Sequence, residues 1–170
     1  GFSELKIYGE RLYCGAGVKL KTISVEERKK NLAGLEFLEG IPGNLGGALR
    51  MNDRAMASAT FNVVEKIRVM DFSGKIQELK RNEVDVEYRS CPLLKNRIAL
   101  SAVLKGKIAS SEVVAERMKT FSAKRWESQP KEPSAGCIFK NTETIPAGKL
   151  VQELGLKGTS IGGARVSEVH

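Results

Sequence analysis

The chain has 170 residues, 41% of them hydrophobic, enough for one ordinary core or two small ones, with no repeat or low-complexity tract. Its formal net charge of +8 comes from 28 Lys and Arg scattered among 20 Asp and Glu, and with isolated aromatics at 6% this argues against a nucleic-acid module; small ligands carrying phosphates or carboxylates stay open, while a solvated basic surface accounts for most of the charges. Apolar runs such as residues 98–104 reach only strand length and no leader pattern opens the chain, so the reading is cytoplasmic with no membrane partner.

In chain order, residues 4–7 and 11–14 read as a hairpin around Gly9. Helical spacing follows over 19–30 with Val18, Ile23 and Val25 on the apolar side, then a glycine-punctuated segment over 34–47. Residues 63–71 and 75–80 form a strand, turn, strand unit about Ser73-Gly74, and 97–105 is a further strand. Ser110 or Ser111 caps a helix to about residue 128, with Val114, Met118 and Phe121 on one face and Arg117 and Lys124 on another. Pro130 and Pro133 end it, since proline lacks the backbone donor and biases the preceding residue away from helix. Residues 137–140 then read as strand-like, 147–154 as a short helix before Gly155, and Gly162-Gly163 as a turn. The fold class is α+β, and a boundary near Gly106 separates a β-rich part, 1–105, from an α+β part, 106–170.

Three motifs carry chemistry. Gly40, Ile41, Pro42, Gly43, Gly46 and Gly47 form a loop whose bare amides and tolerance of positive φ would let it approach a flat ring or a diphosphate, although for this motif alone a bend between packed segments is the simpler explanation. Its spacing is neither that of a Rossmann fingerprint nor that of a phosphate loop. The run Val86-Glu87-Tyr88-Arg89-Ser90 lies near a sheet end; the planar fork of Arg89 suits a carboxylate or an enolate, or else pairs with Glu87 or Asp85 at the surface. Cys137 follows the small residues Ser134, Ala135 and Gly136 and precedes Ile138 and Phe139, which can bury their side chains; its thiol could give up a proton, or serve as a small hydrophobe. Lys140 and Asn141 beside it could bind phosphate oxygens. Cys14, Cys91 and Cys137 lack C-x-x-C spacing and His170 is the only histidine, so reduced thiols and no metal site are expected.

Together these runs resemble the UDP-N-acetylenolpyruvoylglucosamine reductase family, as do Cys14-Gly15-Ala16-Gly17, Gly34-Leu35-Glu36-Phe37-Leu38-Glu39, Gln129-Pro130, Ala147-Gly148-Lys149-Leu150 and Gly155-Leu156-Lys157-Gly158. The resemblance implies an FAD flavoprotein of peptidoglycan synthesis, in which NADPH drives reduction of UDP-N-acetylglucosamine enolpyruvate to UDP-N-acetylmuramate. It implies that Arg89 stabilises the enol, that Cys137 is the proton donor where many members have serine, and that Tyr88, Lys140 and Asn141 hold the UDP-sugar enolpyruvyl substrate. Gly40, Ile41, Pro42, Gly43, Gly46, Gly47 and Asn52 would line the flavin, in a partial FAD-binding domain followed by a substrate-binding domain. Asp53 and Arg54 stand where the family has small residues and would obstruct the cofactor. The family also carries a glycine-rich loop before the point where this chain begins and a glutamate beyond its end, so the chain reads as a fragment or shortened variant, with a non-catalytic ligand- or partner-binding remnant as the alternative.

Overall fold

The structure is a computed structural model that describes residues 1–130 and 132–169. In chain order its elements are β1 (Leu5–Tyr8), β2 (Arg11–Gly15), α1 (Leu20–Lys29), β3 (Leu32–Ala33), α2 (Leu45–Met51), β4 (Arg54–Ala55), β5 (Ser58–Ala59), α3 (Thr60–Val63), β6 (Val64–Asp71) and β7 (Ile76–Lys80). There follow β8 (Arg97–Lys105), β9 (Lys107–Ile108), α4 (Ser111–Ser128), α5 (Ala147–Glu153), β10 (Ser160–Ile161) and β11 (Ala164–Arg165). Helices and strands mix along the chain in an α+β fold that falls into two compact units, one of Gly1–Ser122 and one from Ala123 onward. The sequence boundary near Gly106 marks a change of composition. In the folded chain Lys107–Ile108 pairs with Leu32–Ala33 and the first unit continues to Ser122.

In the first unit, period-two alternation builds an antiparallel sheet of order β1-β2-β8-β6-β7. Leu12 opposes Leu104 and Cys14 opposes Ala102, while Ile67 opposes Ala102 from the other side, so the buried members of three strands meet on one face. Arg11 and Tyr13, one residue out of phase, point to the opposite, more exposed face. Onto the buried face pack Leu45, Ala48 and Leu49 of α2 and Leu20 and Ile23 of α1, all in one hydrophobic cluster with the strands.

The buried side of α1 is Leu20, Ile23, Ser24 and Glu27, the i, i+3, i+4, i+7 stripe of a helix. Val25, expected on that side, is only half-buried, because two residues beyond Ile23 the helix has turned by about 200°. On α4, Val114 and Met118 are buried against Ala33, and Phe121 is half-buried against the main core.

The second unit contains α5 and the β10–β11 hairpin, in which Ser160 opposes Arg165 and Gly162 turns at φ +57. The strand expected at 137–140 is not formed: among the described residues β10 and β11 are the strands of this unit, and they pair with each other, leaving that segment no ladder to join. Nor do Ile138 and Phe139 bury their side chains, which are 80% and 68% exposed.

Candidate functional site

The glycine motif is part loop and part helix. Ile41 N–H donates to Leu38 O at 3.1 Å, and two reciprocal bonds, Leu20 N–H to Gly43 O (3.1 Å) and Leu45 N–H to Val18 O (2.9 Å), clamp the loop to the start of α1. Gly46 donates to Ala16 O at 2.8 Å, and a Cβ there would stand 3.3 Å from Ala16 Cβ and O, so only glycine allows this approach without a shift. Pro42, Gly43, Asn44 and Gly47 are exposed, and nothing lies within 4 Å of where Cβ atoms on Gly43 or Gly47 would be. Among the described residues the amides of Gly43 and Asn44 donate to no partner. The result is an exposed surface with open space over Gly43 and Gly47 and with bare donors, while Gly40 and Ile41 are half-buried behind it.

At the other end of α2, Asn52 takes the left-handed conformation (φ 44, ψ 54) that ends the helix. It is 6% exposed; its Nδ2 donates to Glu87 O at 3.2 Å and its Oδ1 accepts from Phe61 N–H at 3.3 Å. Asn52 therefore fastens the turn that bears Tyr88 and Arg89. That turn is closed by Glu87 N–H to Ser90 O (2.9 Å) and Ser90 N–H to Glu87 O (3.3 Å), with Arg89 at φ +56. A non-glycine residue held there is strained and persists only because its surroundings fix it, which is a common property of functional positions. Tyr88 is exposed beside it.

The partner of Arg89 is neither Glu87 nor Asp85 but Asp53, whose Oδ1 accepts from Arg89 Nη1 at 3.1 Å. Sequence proximity cannot reveal a partner 36 residues away; the signal available was an acid in the unusual run Asn52-Asp53-Arg54. Burial raises the Asp53 carboxyl above the ordinary range, and the Arg89 guanidinium pulls it back only in part. Arg54 is exposed on β4.

In the second unit, Gly136 turns at φ +70 with its N–H on Ser134 Oγ at 3.0 Å, and Cys137, Lys140 and Asn141 are exposed. Asn141 Oδ1 accepts from Ala147 N–H at 3.0 Å, meeting one of the amides that the start of α5 leaves open. Among the described residues its Nδ2 donates to no partner. Cys14 and Cys91 are instead core residues; burial pushes the Cys14 thiol up to about 12 and raises that of Cys91. Among the described residues no group of three His, Cys, Asp or Glu could hold a metal ion, and no helix is long and apolar enough to cross a membrane.

Residues 129–170 match the family model described as UDP-N-acetylenolpyruvoylglucosamine reductase, C-terminal domain. A UDP-N-acetylenolpyruvoylglucosamine reductase of Clostridium tetani is 40% identical over 99% of this chain and 55% of its own length. One of Bacillus subtilis is 37% identical over 100% of this chain and 57% of its own length. The crystal structure of UDP-N-acetylenolpyruvylglucosamine reductase from Thermus caldophilus superposes with a TM-score of 0.86 at 34% identity, covering 96% of this chain and 61% of that one. The chain thus spans a little over half the length of these curated relatives. With identity at this level running from end to end, and a shared fold, this chain belongs to the UDP-N-acetylenolpyruvoylglucosamine reductase family.

Proposed function

We propose that the chain carries residues for an FAD-dependent, NADPH-driven reduction of UDP-N-acetylglucosamine enolpyruvate to UDP-N-acetylmuramate, a cytoplasmic step of peptidoglycan precursor synthesis. The observation that carries this reading is Arg89, a partly exposed guanidinium held on a strained turn by the buried amide of Asn52. Reduction of an enolpyruvyl ether concentrates negative charge on the carboxylate side of the substrate, and a fixed cation there stabilises charge that develops in the transition state.

The residues of the glycine motif fit a flavin: the open surface over Gly43 and Gly47 admits a flat ring, and the bare amides of Gly43 and Asn44 suit its polar edge or its diphosphate. When bound, FAD supplies the hydride received from NADPH. The chain's own residues do the rest. Arg89 pairs with the substrate carboxylate and stabilises the enol, and the Cys137 thiol gives its proton to the substrate α-carbon. Lys140, Asn141 and Tyr88 hold the sugar diphosphate, with the ammonium of Lys140 acting as a point charge and the Asn141 Nδ2 as a donor.

Calorimetric titration of the chain with UDP-N-acetylglucosamine enolpyruvate, alongside FAD titration followed by flavin fluorescence, tests the reading. Arg89→Gln and Asn141→Ala should each weaken the sugar-nucleotide by about 1.5–3 kcal/mol, the usual worth of a hydrogen bond to a charged group. Affinity unchanged in both variants would refute it. Sugar-nucleotide binding with no flavin binding would support the non-catalytic remnant instead.

A further inference from the structure

The main chain of Asp53, the acid beside Arg89, is held by three hydrogen bonds. Asp53 N–H donates to Ala48 O at 3.0 Å, and Asp53 O accepts from Thr60 N–H at 2.8 Å and Thr60 Oγ1 at 3.1 Å. Opposite it, the Asn52 amide ties down Glu87 O, so two adjacent residues of one segment fix both the acid and the turn that carries its arginine. The contact itself is slight: a single Nη1 to Oδ1 bond rather than the two parallel bonds that a guanidinium fork prefers, between side chains that are 36% and 19% exposed. A ligand carboxylate meeting the same fork could form both bonds.

We propose that Asp53 is a resident carboxylate that positions Arg89 and occupies its anion-binding face in the ligand-free chain, so that a substrate carboxylate binds by displacing it. The inference rests on the reading of Arg89 as the substrate-carboxylate receptor. It adds that Asp53 sets the selectivity of the site. By holding Arg89 weakly, it keeps the guanidinium extended and neutralised against adventitious anions, and it yields only to a ligand able to make the bidentate pair. The partly desolvated setting of the acid is consistent with a weakly held partner, since burial works against its charged form.

The test is a binding cycle on the 170-residue chain with two probes, UDP-N-acetylglucosamine enolpyruvate and UDP-N-acetylglucosamine, which lacks the carboxylate. Asp53→Asn keeps the backbone bonds of the position and removes the competing charge. It should tighten the enolpyruvate by about 1.5- to fivefold, the range for a partly exposed ion pair given up on binding, and leave the carboxylate-free probe unchanged. In an Arg89→Gln background the gain should vanish, and wild-type affinity should rise toward acid, where Asp53 is neutralised, while Asp53→Asn stays flat. Asp53→Ser serves as a second variant if the asparagine disturbs folding. Arg89→Gln binding as tightly as wild type would remove the underlying assignment of Arg89. Loss on Arg89→Gln without gain on either Asp53 variant, or weaker binding by both with unfolding temperature unchanged, would overturn the role of Asp53 alone.

Discussion

The two units bring their candidate residues to solvent by different means. Every buried side chain among the described residues belongs to the first unit, the last being Met118, whereas from Ala123 to Val169 no described residue is buried. The Arg89 turn can therefore be strained, because the sheet, α2 and the Asn52 amide oppose its relaxation. Cys137, Lys140 and Asn141 lie on a segment shaped by short-range bonds, such as Gly136 N–H to Ser134 Oγ, Ile145 N–H to Thr142 Oγ1 and Ala147 N–H to Asn141 Oδ1, each 3.0 Å. Exposed bonds of this kind contribute about 0.5–1.5 kcal/mol each, against about 1.5–3 kcal/mol for burying one large apolar side chain. The Arg89 guanidinium and the segment that bears Cys137 are thus held in place by different physics, and substitutions should separate them.

The largest effect should come from the core. Leu38 is fully buried, its N–H is on Leu35 O and its carbonyl accepts from Ile41, so Leu38→Ala should cost about 2–5 kcal/mol in urea unfolding and loosen the glycine motif with it. Phe139→Ala, at an exposed position in the second unit, should stay within about 0.5 kcal/mol. Comparable losses at the two positions would break the contrast.

Glu27 sharpens it, because the first unit also buries a carboxyl. One of its oxygens accepts from Leu35 N–H at 2.8 Å, while Oε2 is buried without a partner among the described residues. Burial, with Glu36 adding to it and Arg117 opposing, pushes the group up to about 8. A folded-state value above the unfolded 4.5 means that the native state holds the extra proton, so this stability is fully present below pH 4.5 and is lost as pH rises through about 8. Water penetration relieves part of the ~1.4 kcal/mol per pH unit, so Glu27→Gln should gain about 2–3 kcal/mol over wild type on the alkaline side and little at acid pH. Parallel pH profiles for wild type and variant would show that Glu27 does not titrate in that window.

Much of this was legible in the sequence. Alternation located β8 at its observed bounds and the hairpins β1–β2 and β6–β7, and serine with proline framed α4, since these signals are local. The rest depends on distant parts. Two-residue strands such as β3 and β9 show no period, and α2 was hidden because Gly46 and Gly47 disfavour the helix that packing imposes. The burial of Glu27 contradicts composition, and the Asp53–Arg89 pair joins segments far apart in sequence. The glycine, Arg89 and Cys137 motifs were recognisable as residue types at given spacings, but the strain at Arg89 and the exposure of Ile138 and Phe139 were not.

In the second unit the effect should be smaller. Asn141→Ala removes the acceptor for Ala147 N–H and should destabilise α5 by about 1 kcal/mol, read as faster amide exchange in that helix. Asn141→Asp keeps an acceptor oxygen and the helix, yet places a negative charge where a diphosphate is proposed to bind, so it should lose the sugar-nucleotide while exchange stays slow. Retained affinity in the aspartate variant would make Asn141 a helix-cap residue only.

The smallest expected effect tests whether strain near Arg89 matters or is incidental. The β4–β5 hairpin pairs Arg54 with Ala59 and Ala55 with Ser58 across the loop Met56-Ala57, both at positive φ (49 and 63), a turn that ordinarily selects Asn-Gly. A left-handed alanine costs roughly 1–2 kcal/mol and glycine loses about 0.5–1 kcal/mol more entropy on folding, so Ala57→Gly should stabilise the chain by about 0.5–1 kcal/mol. The hairpin runs directly between Asp53 and Thr60, which bonds the Asp53 carbonyl. If the glycine variant gains stability and leaves carboxylate binding unchanged, the strain is local to the loop. If it gains stability and alters that binding, the loop strain is transmitted to Asp53 and so to the guanidinium. A loss of stability would show that the first unit holds Met56 and Ala57 in place through contacts stronger than the strain it tolerates at Arg89.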